Sequence, residues 1–280
     1  MICFPNCKIN IGLSITGKRS DGFHTLESIF APVDWCDVLE VVHNDQNNCS
    51  IEVFGEQVTM SPEENIVFKA HALLQKDFNI GGVNVQLLKH LPSGAGLGGG
   101  SSDGSFMLRS LNDLFDLKLT TQQLQAYAAQ LGSDCPFFIE NKSCFVTGRG
   151  EIFEPISLDL SSYFVTIIHP GIHVNTGKAF SWITPKPAAF DLRGIGELDI
   201  FSWKKYVVND FEAPVLEHFP AIASIKNTLY EAGAIYASMS GSGSAVYGIF
   251  SEKIEASDIM KSAQITSGRG YTGKFLSPRI

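Results

Sequence analysis

A glycine-rich loop joins a predicted strand to a predicted helix near the middle of the chain. The strand spans residues 83–89, and apolar residues at 107, 111, 114 and 115 recur afterwards at helical spacing. Glycine permits positive φ and a close approach of a ligand to the backbone, and the N–H groups at the start of a helix favour an anion. The pattern predicts a phosphate-binding loop, whose residues are Pro92, Ser93, Gly94, Ala95, Gly96, Leu97, Gly98, Gly99, Gly100, Ser101 and Ser102.

Two common phosphate-binding motifs do not describe this loop. A P-loop needs a lysine after its second glycine, and the dinucleotide-binding fingerprint is shorter and not rich in serine. Ser101 or Ser102 is the predicted cap of the helix that follows. A mobile linker is the alternative interpretation, but a linker has no reason to join a strand to a helix.

A second glycine–serine turn, at residues 239–244, precedes another predicted strand. Taken alone it is typical of a plain turn. Together with the first loop it predicts a second backbone surface that lines the same phosphates.

The composition limits the kinds of protein that this chain can be. It has 280 residues, of which 44% are hydrophobic and 18% charged, with a net charge of −8. Such a chain can bury a core, and its acidic balance argues against a general binder of nucleic acid or membrane surfaces. Six cysteines without a CxxC pair predict free thiols in a reducing cytoplasm, and residues 1–10 lack the pattern of a signal peptide. The length suits two domains, predicted at 1–155 and 156–280.

Strands and helices alternate in the rest of the prediction. Capping boxes begin helices at Ser61 and Thr120, with Asn65 as an alternative start for the first, and Gly132 ends the second helix. Further strands are predicted at 37–42, 50–54, 163–169, 244–250 and 274–277, and further helices at about 221–232 and 254–262.

Two polar motifs stand outside the loops. Lys8 and Asn10 alternate with apolar neighbours, so on a strand they share one face; a solvated lysine at a sheet edge is the alternative. Asp134 follows the helix stop and precedes the apolar run at 135–138; the alternative is a turn aspartate that bonds the local backbone.

The order of these motifs resembles that of the GHMP small-molecule kinases. The resemblance runs from Pro5-x2-Lys8-Ile9-Asn10 to the tail at Leu276-Ser277-Pro278. Within that superfamily it is greatest to the 4-diphosphocytidyl-2-C-methyl-D-erythritol kinases. The more specific motifs are Thr16-Gly17-x2-Ser20-Asp21-Gly22-Phe23-His24-Thr25-Leu26, Gly132-Ser133-Asp134-Cys135-Pro136-Phe137-Phe138 and His169-Pro170-Gly171.

The resemblance implies a fold and a reaction. The fold is α+β, with an N-terminal domain that contains a left-handed β-α-β unit, a smaller ferredoxin-like C-terminal domain, and an active site in the cleft between them. The reaction is ATP-dependent phosphorylation of the 2-hydroxyl of 4-diphosphocytidyl-2-C-methyl-D-erythritol, in the non-mevalonate (methylerythritol phosphate) route to isopentenyl diphosphate. The oligomeric state stays open.

The resemblance also implies roles for single residues. Asp134 corresponds to the catalytic carboxylate, Lys8 to the catalytic cation, and residues 92–102 to the loop that binds the phosphates of ATP. Two aromatic rings are implied to stack on the cytosine and one imidazole to read its edge. At position 23 the chain has Phe where the family leads one to expect Tyr, so stacking survives and a phenol hydrogen bond is lost. The implied substrate-binding residues are Asn10, Phe23, His24, Thr176 and Phe180.

These residue types suit phosphoryl transfer, which needs mainly positioning and stabilisation of charge. Lys8 can neutralise developing negative charge, and Asp134 either takes the proton of the acceptor hydroxyl or only orients it. Mg²⁺ is expected with ATP, because one lysine does not neutralise a triphosphate, and its ligands stay unidentified.

Two other readings remain open. One is another GHMP kinase, of the homoserine or mevalonate type, which would not require a cytidine diphosphate group in its substrate. The other is a catalytically inactive nucleotide-binding sensor, which an assay of ATP turnover would reveal.

Overall fold

The chain forms two compact units in a computed structural model that describes residues 1–55 and 61–276. The first unit comprises Met1–Cys7, Trp35–Ser93 and Gly98–Asn141. The second comprises Lys8–Asp34, Gly94–Leu97 and the residues from 142 onward. These units divide the chain differently from the ranges 1–155 and 156–280, because an early strand pairs with one that begins at residue 144. The sequence boundary near 155 itself stays a prediction.

The strands include those predicted at 37–42, 50–54, 83–89, 163–169 and 244–250, each with shifts of one or two residues at its ends, and others that the sequence analysis did not predict. They are β1 (Ile2–Cys3), β2 (Asn6–Lys18), β3 (His24–Cys36), β4 (Val38–Asn44), β5 (Cys49–Gly55), β6 (Gly82–Lys89), β7 (Cys144–Thr147), β8 (Ile152–Pro155), β9 (Phe164–His169), β10 (Tyr236–Met239), β11 (Val246–Phe250) and β12 (Arg269–Lys274).

The helices include short ones that the sequence did not predict. They are α1 (Ile66–Phe78), α2 (Gly99–Leu114), α3 (Thr121–Leu131), α4 (Phe137–Glu140), α5 (Thr176–Ser181), α6 (Trp203–Tyr206), α7 (Glu212–His218), α8 (Pro220–Glu231) and α9 (Ala256–Ser262). Short 3₁₀ turns lie at Pro62–Glu64, Leu192–Glu197 and Ile200–Ser202. Among the described residues, no helix is both long enough and apolar enough to cross a membrane.

Both predicted starts of the first helix are used. Ser61 N donates to Glu64 Oε2 over 3.0 Å, which closes the capping box around the 3₁₀ turn. Asn65 then caps α1 itself, since its Oδ1 accepts a hydrogen bond from Val67 N at 2.9 Å. The second capping box, at Thr120, is confirmed, because Thr120 N donates to Gln123 Oε1 over 2.9 Å.

The first unit contains a sheet with the strand order β1-β4-β6-β5. β5 and β6 are parallel neighbours, and α1 lies between them in the chain, so this part has the β-α-β connection that the resemblance implies. The left-handed crossover of that connection stays a prediction. The predicted apolar face of α2 is buried through Met107 and Leu111, which pack with residues of the sheet, α1 and α3 in one core.

The second unit contains two sheets. One has the order β2-β3-β7-β8, with the first two residues of β2 and the last two of β3 counted in the first unit. The other has the order β10-β11-β9-β12, with all neighbours antiparallel, and α8 and α9 complete a β-α-β-β-α-β path. This topology confirms the ferredoxin-like prediction.

The last strand differs from its prediction at 274–277. β12 covers Arg269–Lys274, where it pairs antiparallel to β9 from Arg269↔His169 to Lys274↔Phe164. Two glycines lower the strand propensity of this segment, and pairing with β9 overrides that preference. Ser277 lies outside the described residues.

Candidate active site

Three of the five loop glycines use the conformational freedom that glycine provides. Gly94, Gly96 and Gly98 have φ of 65°, 82° and 71°. Gly98 is the N-cap of α2, so the helix begins earlier than predicted. The prediction that a serine caps it is wrong, because Ser101 and Ser102 lie inside its first turns.

Residues 94–97 of the loop contact the second glycine–serine turn. Ser240 Oγ donates to Gly96 O over 2.8 Å, and Ala245 N donates to Ala95 O over 3.1 Å. A Cβ on Gly96 would overlap the carbonyl oxygen of Ser240, so only glycine allows this contact. The two predicted loop surfaces are therefore joined here, while their binding of the same phosphates stays a prediction.

Asn209 holds the second turn in place, and the sequence analysis missed it. Its Nδ2 donates to Met239 O over 2.8 Å and to Gly241 O over 2.9 Å, and Asn209 is 4% exposed. The sequence analysis singled out no motif around Asn209. Its contacts join segments that are distant along the chain, so no local signal predicts them.

Lys8 and Asn10 share one face of β2, as predicted. Lys8 Nζ donates to Asn10 Oδ1 over 2.6 Å and lies 4.2 Å from the ring centroid of Phe30. Lys8 is 4% exposed, which rules out the solvated-edge alternative. Asn10 is fixed in turn, because its Nδ2 donates to Ser28 Oγ over 2.9 Å and its carbonyl accepts from the Tyr247 hydroxyl over 2.8 Å. The amino group of Lys8 is thus positioned by the sheet.

Asp134 is half-buried in the turn between α3 and α4 of the first unit. Cys135 N donates to Gly132 O over 3.2 Å, and Ser105 Oγ of α2 lies 2.7 Å from Cys135 O, to which it donates. These bonds fix the backbone on both sides of the carboxylate. Burial raises the pKa of the neighbouring Cys135 to about 11, so that side chain is a neutral thiol at neutral pH.

The structure brings His24 and Phe180 together, two of the residues that the resemblance assigns to the substrate base. His24 and Phe180 are stacked, with ring centroids 4.8 Å apart and planes 16° apart. Thr176 lies one turn before Phe180 on α5, and its Oγ1 is 3.0 Å from Ser242 Oγ of the second glycine–serine turn. Phe23 is 54% exposed, next to His24 in the chain. His24 is therefore more than a turn residue, although its role stays a prediction.

A buried charged cluster lies beneath the loop in the first unit, and the sequence analysis missed it. Lys89 Nζ forms an ion pair with Asp37 Oδ2 and donates a hydrogen bond to Asp103 Oδ2 over 2.6 Å. Asp37 Oδ1 also accepts hydrogen bonds from His90 N at 2.6 Å and from Leu91 N at 2.8 Å. The cluster thus ties the residue before β4, the end of β6 and helix α2 to residues 90 and 91, which lead into the loop.

The charges of this cluster depend on one another. Burial raises the pKa of Asp103 to about 8, even though Lys89 acts in the opposite direction. Burial would lower the pKa of Lys89, but Asp103 and Asp37 outweigh it and raise that pKa. Near neutral pH the lysine is therefore charged and Asp103 binds a proton.

The first turn of α2, where the loop ends, has open space beside its backbone. A Cβ on Gly100, in the first turn of α2, would meet nothing within 4 Å. Ser102 Oγ is buried without a hydrogen-bond partner in the described part of the chain. In that same part, no group of three or more His, Cys, Asp or Glu side chains could hold a metal ion. Mg²⁺ commonly binds through substrate phosphates with few protein ligands, so this finding is compatible with Mg²⁺–ATP.

Comparisons with known proteins agree with the fold. The GHMP kinases N-terminal domain matches residues 65–142, and the GHMP kinases C-terminal domain matches residues 187–266. The 4-diphosphocytidyl-2-C-methyl-D-erythritol kinase of Bacteroides thetaiotaomicron is 48% identical over 252 residues, which cover 89% of this chain and 92% of the relative.

Solved structures are similar over almost the whole chain. A 4-(cytidine 5'-diphospho)-2C-methyl-D-erythritol kinase has a TM-score of 0.82 and 29% identity, covering 98% of this chain and 99% of its own. A homoserine kinase from Cytophaga hutchinsonii has a TM-score of 0.70 at 18% identity, covering 97% of this chain and 95% of its own. At that identity the similarity shows only a common fold. The predicted α+β fold with two GHMP domains is confirmed. With 48% identity over 89% of its length to one such enzyme, this chain belongs to the 4-diphosphocytidyl-2-C-methyl-D-erythritol kinase family of the ATP-dependent GHMP kinases.

Proposed function

We propose that this chain phosphorylates the 2-hydroxyl of 4-diphosphocytidyl-2-C-methyl-D-erythritol with ATP and Mg²⁺. The stacked pair of His24 and Phe180 carries the proposal. An acceptor with a nucleobase needs flat apolar surface and a polar group beside it, and this pair supplies both. Homoserine and mevalonate carry no aromatic ring, so they do not account for such a surface.

Lys8 and Asn10 act on the acceptor hydroxyl and the charge that develops on the phosphoryl group. A lysine fixed by a 2.6 Å hydrogen bond to Asn10 needs little reorganisation during the reaction. Preorganised charge of this kind stabilises a transition state more than a solvated lysine would. Asn10 is then the positioning residue, because it holds the amino group of Lys8.

Asp134 accepts the hydrogen bond of the acceptor hydroxyl. Its turn is fixed by the bond from Ser105 Oγ to Cys135 O, so the carboxylate starts from a defined place. Orientation of the nucleophile is a large part of catalysis in phosphoryl transfer. The loop at residues 92–102 binds the phosphates of ATP through its backbone N–H groups and the start of α2.

The test is a kinase assay with ATP, Mg²⁺ and three acceptors: 4-diphosphocytidyl-2-C-methyl-D-erythritol, homoserine and mevalonate. We expect phosphorylation of the cytidyl compound alone. Turnover of homoserine or mevalonate in its place would overturn the assignment of substrate. Binding of ATP without turnover of any acceptor would instead identify an inactive nucleotide-binding protein.

A further inference from the structure

The turn that joins β7 to β8 lies beside the predicted nucleobase site of the second unit. Gly148 O accepts a hydrogen bond from Leu26 N of β3 at 2.9 Å. Gly148 and Gly150 have φ of 74° and 111°, so the turn needs a glycine on both sides of Arg149. The turn is therefore a defined structure, attached to β3 two residues after His24.

Arg149 extends from this turn onto Phe23. Its guanidinium carbon lies 5.0 Å from the centroid of the Phe23 ring, which is within the range of a cation–π contact. Glu151 supports the turn, since its Oε2 accepts a hydrogen bond from Arg149 N and its Oε1 lies 3.6 Å from Arg149 Nε. The arginine thus has a partner that holds it over the ring.

The backbone of Phe23 is held by hydrogen bonds within its own turn. Phe23 N donates to Asp21 Oδ1 over 3.1 Å, and Phe23 O accepts from Arg19 N at 2.8 Å. The side chain, by contrast, is 54% exposed, and an exposed ring loses conformational freedom when a ligand orders it. A contact that orders the ring beforehand removes part of that cost.

We propose that Arg149 is a positioning residue that holds the ring of Phe23 as a platform for the cytosine base of the acceptor. One face of the ring meets the guanidinium, and the exposed remainder is left to the base. The inference rests on the proposed function, because it takes Phe23 to be one of the stacking residues. It adds a residue outside the motifs that the resemblance assigns to substrate binding.

A cation–π contact at an exposed site is worth a factor of about two to five in an equilibrium constant. We therefore expect Arg149→Gln to raise the KM for the cytidyl substrate and the Kd for cytidine diphosphate about two- to fivefold. The kcat and the KM for ATP stay unchanged, because Arg149 acts on base binding and not on the transferred phosphoryl group. Arg149→Lys keeps a cation and is expected to retain part of the affinity.

The matched control is Arg193→Gln. Arg193 also places a guanidinium over an aromatic ring, 4.2 Å from the centroid of Phe145, and it pairs with Glu154 at 3.1 Å. It makes the same kind of contact with a ring that has no predicted role in binding. We expect Arg193→Gln to leave the Kd for cytidine diphosphate unchanged.

Calorimetry with cytidine diphosphate on Arg149→Gln, Phe23→Leu and the double variant separates the outcomes. Loss of affinity in each single variant, with no further loss in the double variant, supports action through Phe23. If Phe23→Leu binds cytidine diphosphate more weakly while the affinity of Arg149→Gln is unchanged or higher, the inference is overturned and the proposed function still stands. Additive losses also overturn it, because Arg149 would then act on the ligand directly. If Phe23→Leu binds normally while the enzyme still phosphorylates the cytidyl acceptor, the platform is wrong and the activity is not.

Discussion

The imidazole of His24 and the ring of Phe180 lie face to face, with centroids 4.8 Å apart. No third ring fits between rings at that distance, so a base that stacks on Phe180 has to meet another part of its surface. Phe180 is also packed edge-on against Phe211, with centroids 4.9 Å apart. Phe180 therefore supports His24 by stacking, and its predicted second role is to offer the rest of its surface to the base.

Removing Phe180 tests both of these roles. We expect Phe180→Ala to raise the KM for the cytidyl substrate about tenfold or more, with the KM for ATP little changed, since base–aromatic stacking is worth about 1–3 kcal/mol. Because His24 loses its stacking partner, the preference for cytidyl over uridyl analogues narrows, as it does in His24→Ala. Phe201→Ala, at a 69% exposed aromatic of the same unit, is the control. Unchanged cytidyl KM in both site variants would place the base elsewhere.

The role of Asp134 is tested by the isosteric change Asp134→Asn. The variant is expected to fold and bind ATP normally but to lose at least roughly two orders of magnitude in kcat, the usual scale for such residues. Steady-state kinetics and calorimetry with ATP measure the two effects separately. Glu140→Gln, at an exposed residue of the neighbouring α4, serves as the control. Near-normal kcat in Asp134→Asn would exclude it from catalysis.

The glycine loop is tested by Gly98→Val. The φ of 71° at this helix cap is unfavourable for a β-branched residue, so we expect ATP binding to weaken more than binding of the cytidyl substrate. Calorimetry with each ligand gives the comparison. Gly194→Ala is the matched control, because a Cβ there meets nothing within 4 Å and its φ lies outside the positive range. Equal losses for both ligands would indicate general misfolding.

Lys89→Met removes the cation of the buried cluster. Two carboxyl groups that are almost fully buried, Asp37 and Asp103, then lack their shared partner. Breaking a buried pair costs about 3–5 kcal/mol, which corresponds to a fall in Tm of roughly 6–20 °C for a chain of this size. Lys253→Met breaks the exposed pair with Glu255 and is expected to have almost no effect. A Tm equal to that of wild type in calorimetric scans of Lys89→Met would contradict the assigned role.

Asp103 makes stability depend on pH. Its pKa of about 8 in the folded state lies above its ordinary value, so folding holds a proton that the unfolded chain releases. The contribution of Asp103 to the free energy of unfolding is therefore greatest at low pH, and it falls as the pH rises towards about 8. Asp103→Asn lacks this dependence. Urea unfolding at about pH 5.5 and about pH 8 measures the free energy of unfolding at each pH. We expect it to fall less between the two in the variant than in wild type, and an equal fall in both would exclude the raised pKa of Asp103.

Local patterns predicted the parts of the fold that local physics decides. The capping box at Thr120 and the glycine loop before α2 need only neighbouring residues, and both form. The cap of α2 was predicted wrongly, because Ser101 and Ser102 have the preferred chemistry for a cap. Gly98 nevertheless takes that position, in the left-handed conformation that glycine adopts readily.

Contacts between distant segments escaped prediction. Lys89, Asp37 and Asp103 each resemble an ordinary surface charge in the sequence, and only the packing of β4, β6 and α2 brings them together. The burial of Lys8 was likewise undecided, since alternation assigns it to a face without saying what covers that face. Asn209 and Arg149 belong to the same class, because each acts on a residue far away along the chain.

The pairing of β3 with β7 has a consequence for how the chain folds during its synthesis. Ser28 pairs with Val146, so the hairpin of β2 and β3 leaves the ribosome long before its neighbouring strand exists. At roughly 5–20 residues per second, translation of the intervening chain takes on the order of 5–20 s. During that time the edge of β3 is an unpaired strand, which is a template for pairing with other chains. Nascent chains truncated before β7 are therefore expected to need a chaperone, and those that extend past Val146 much less so.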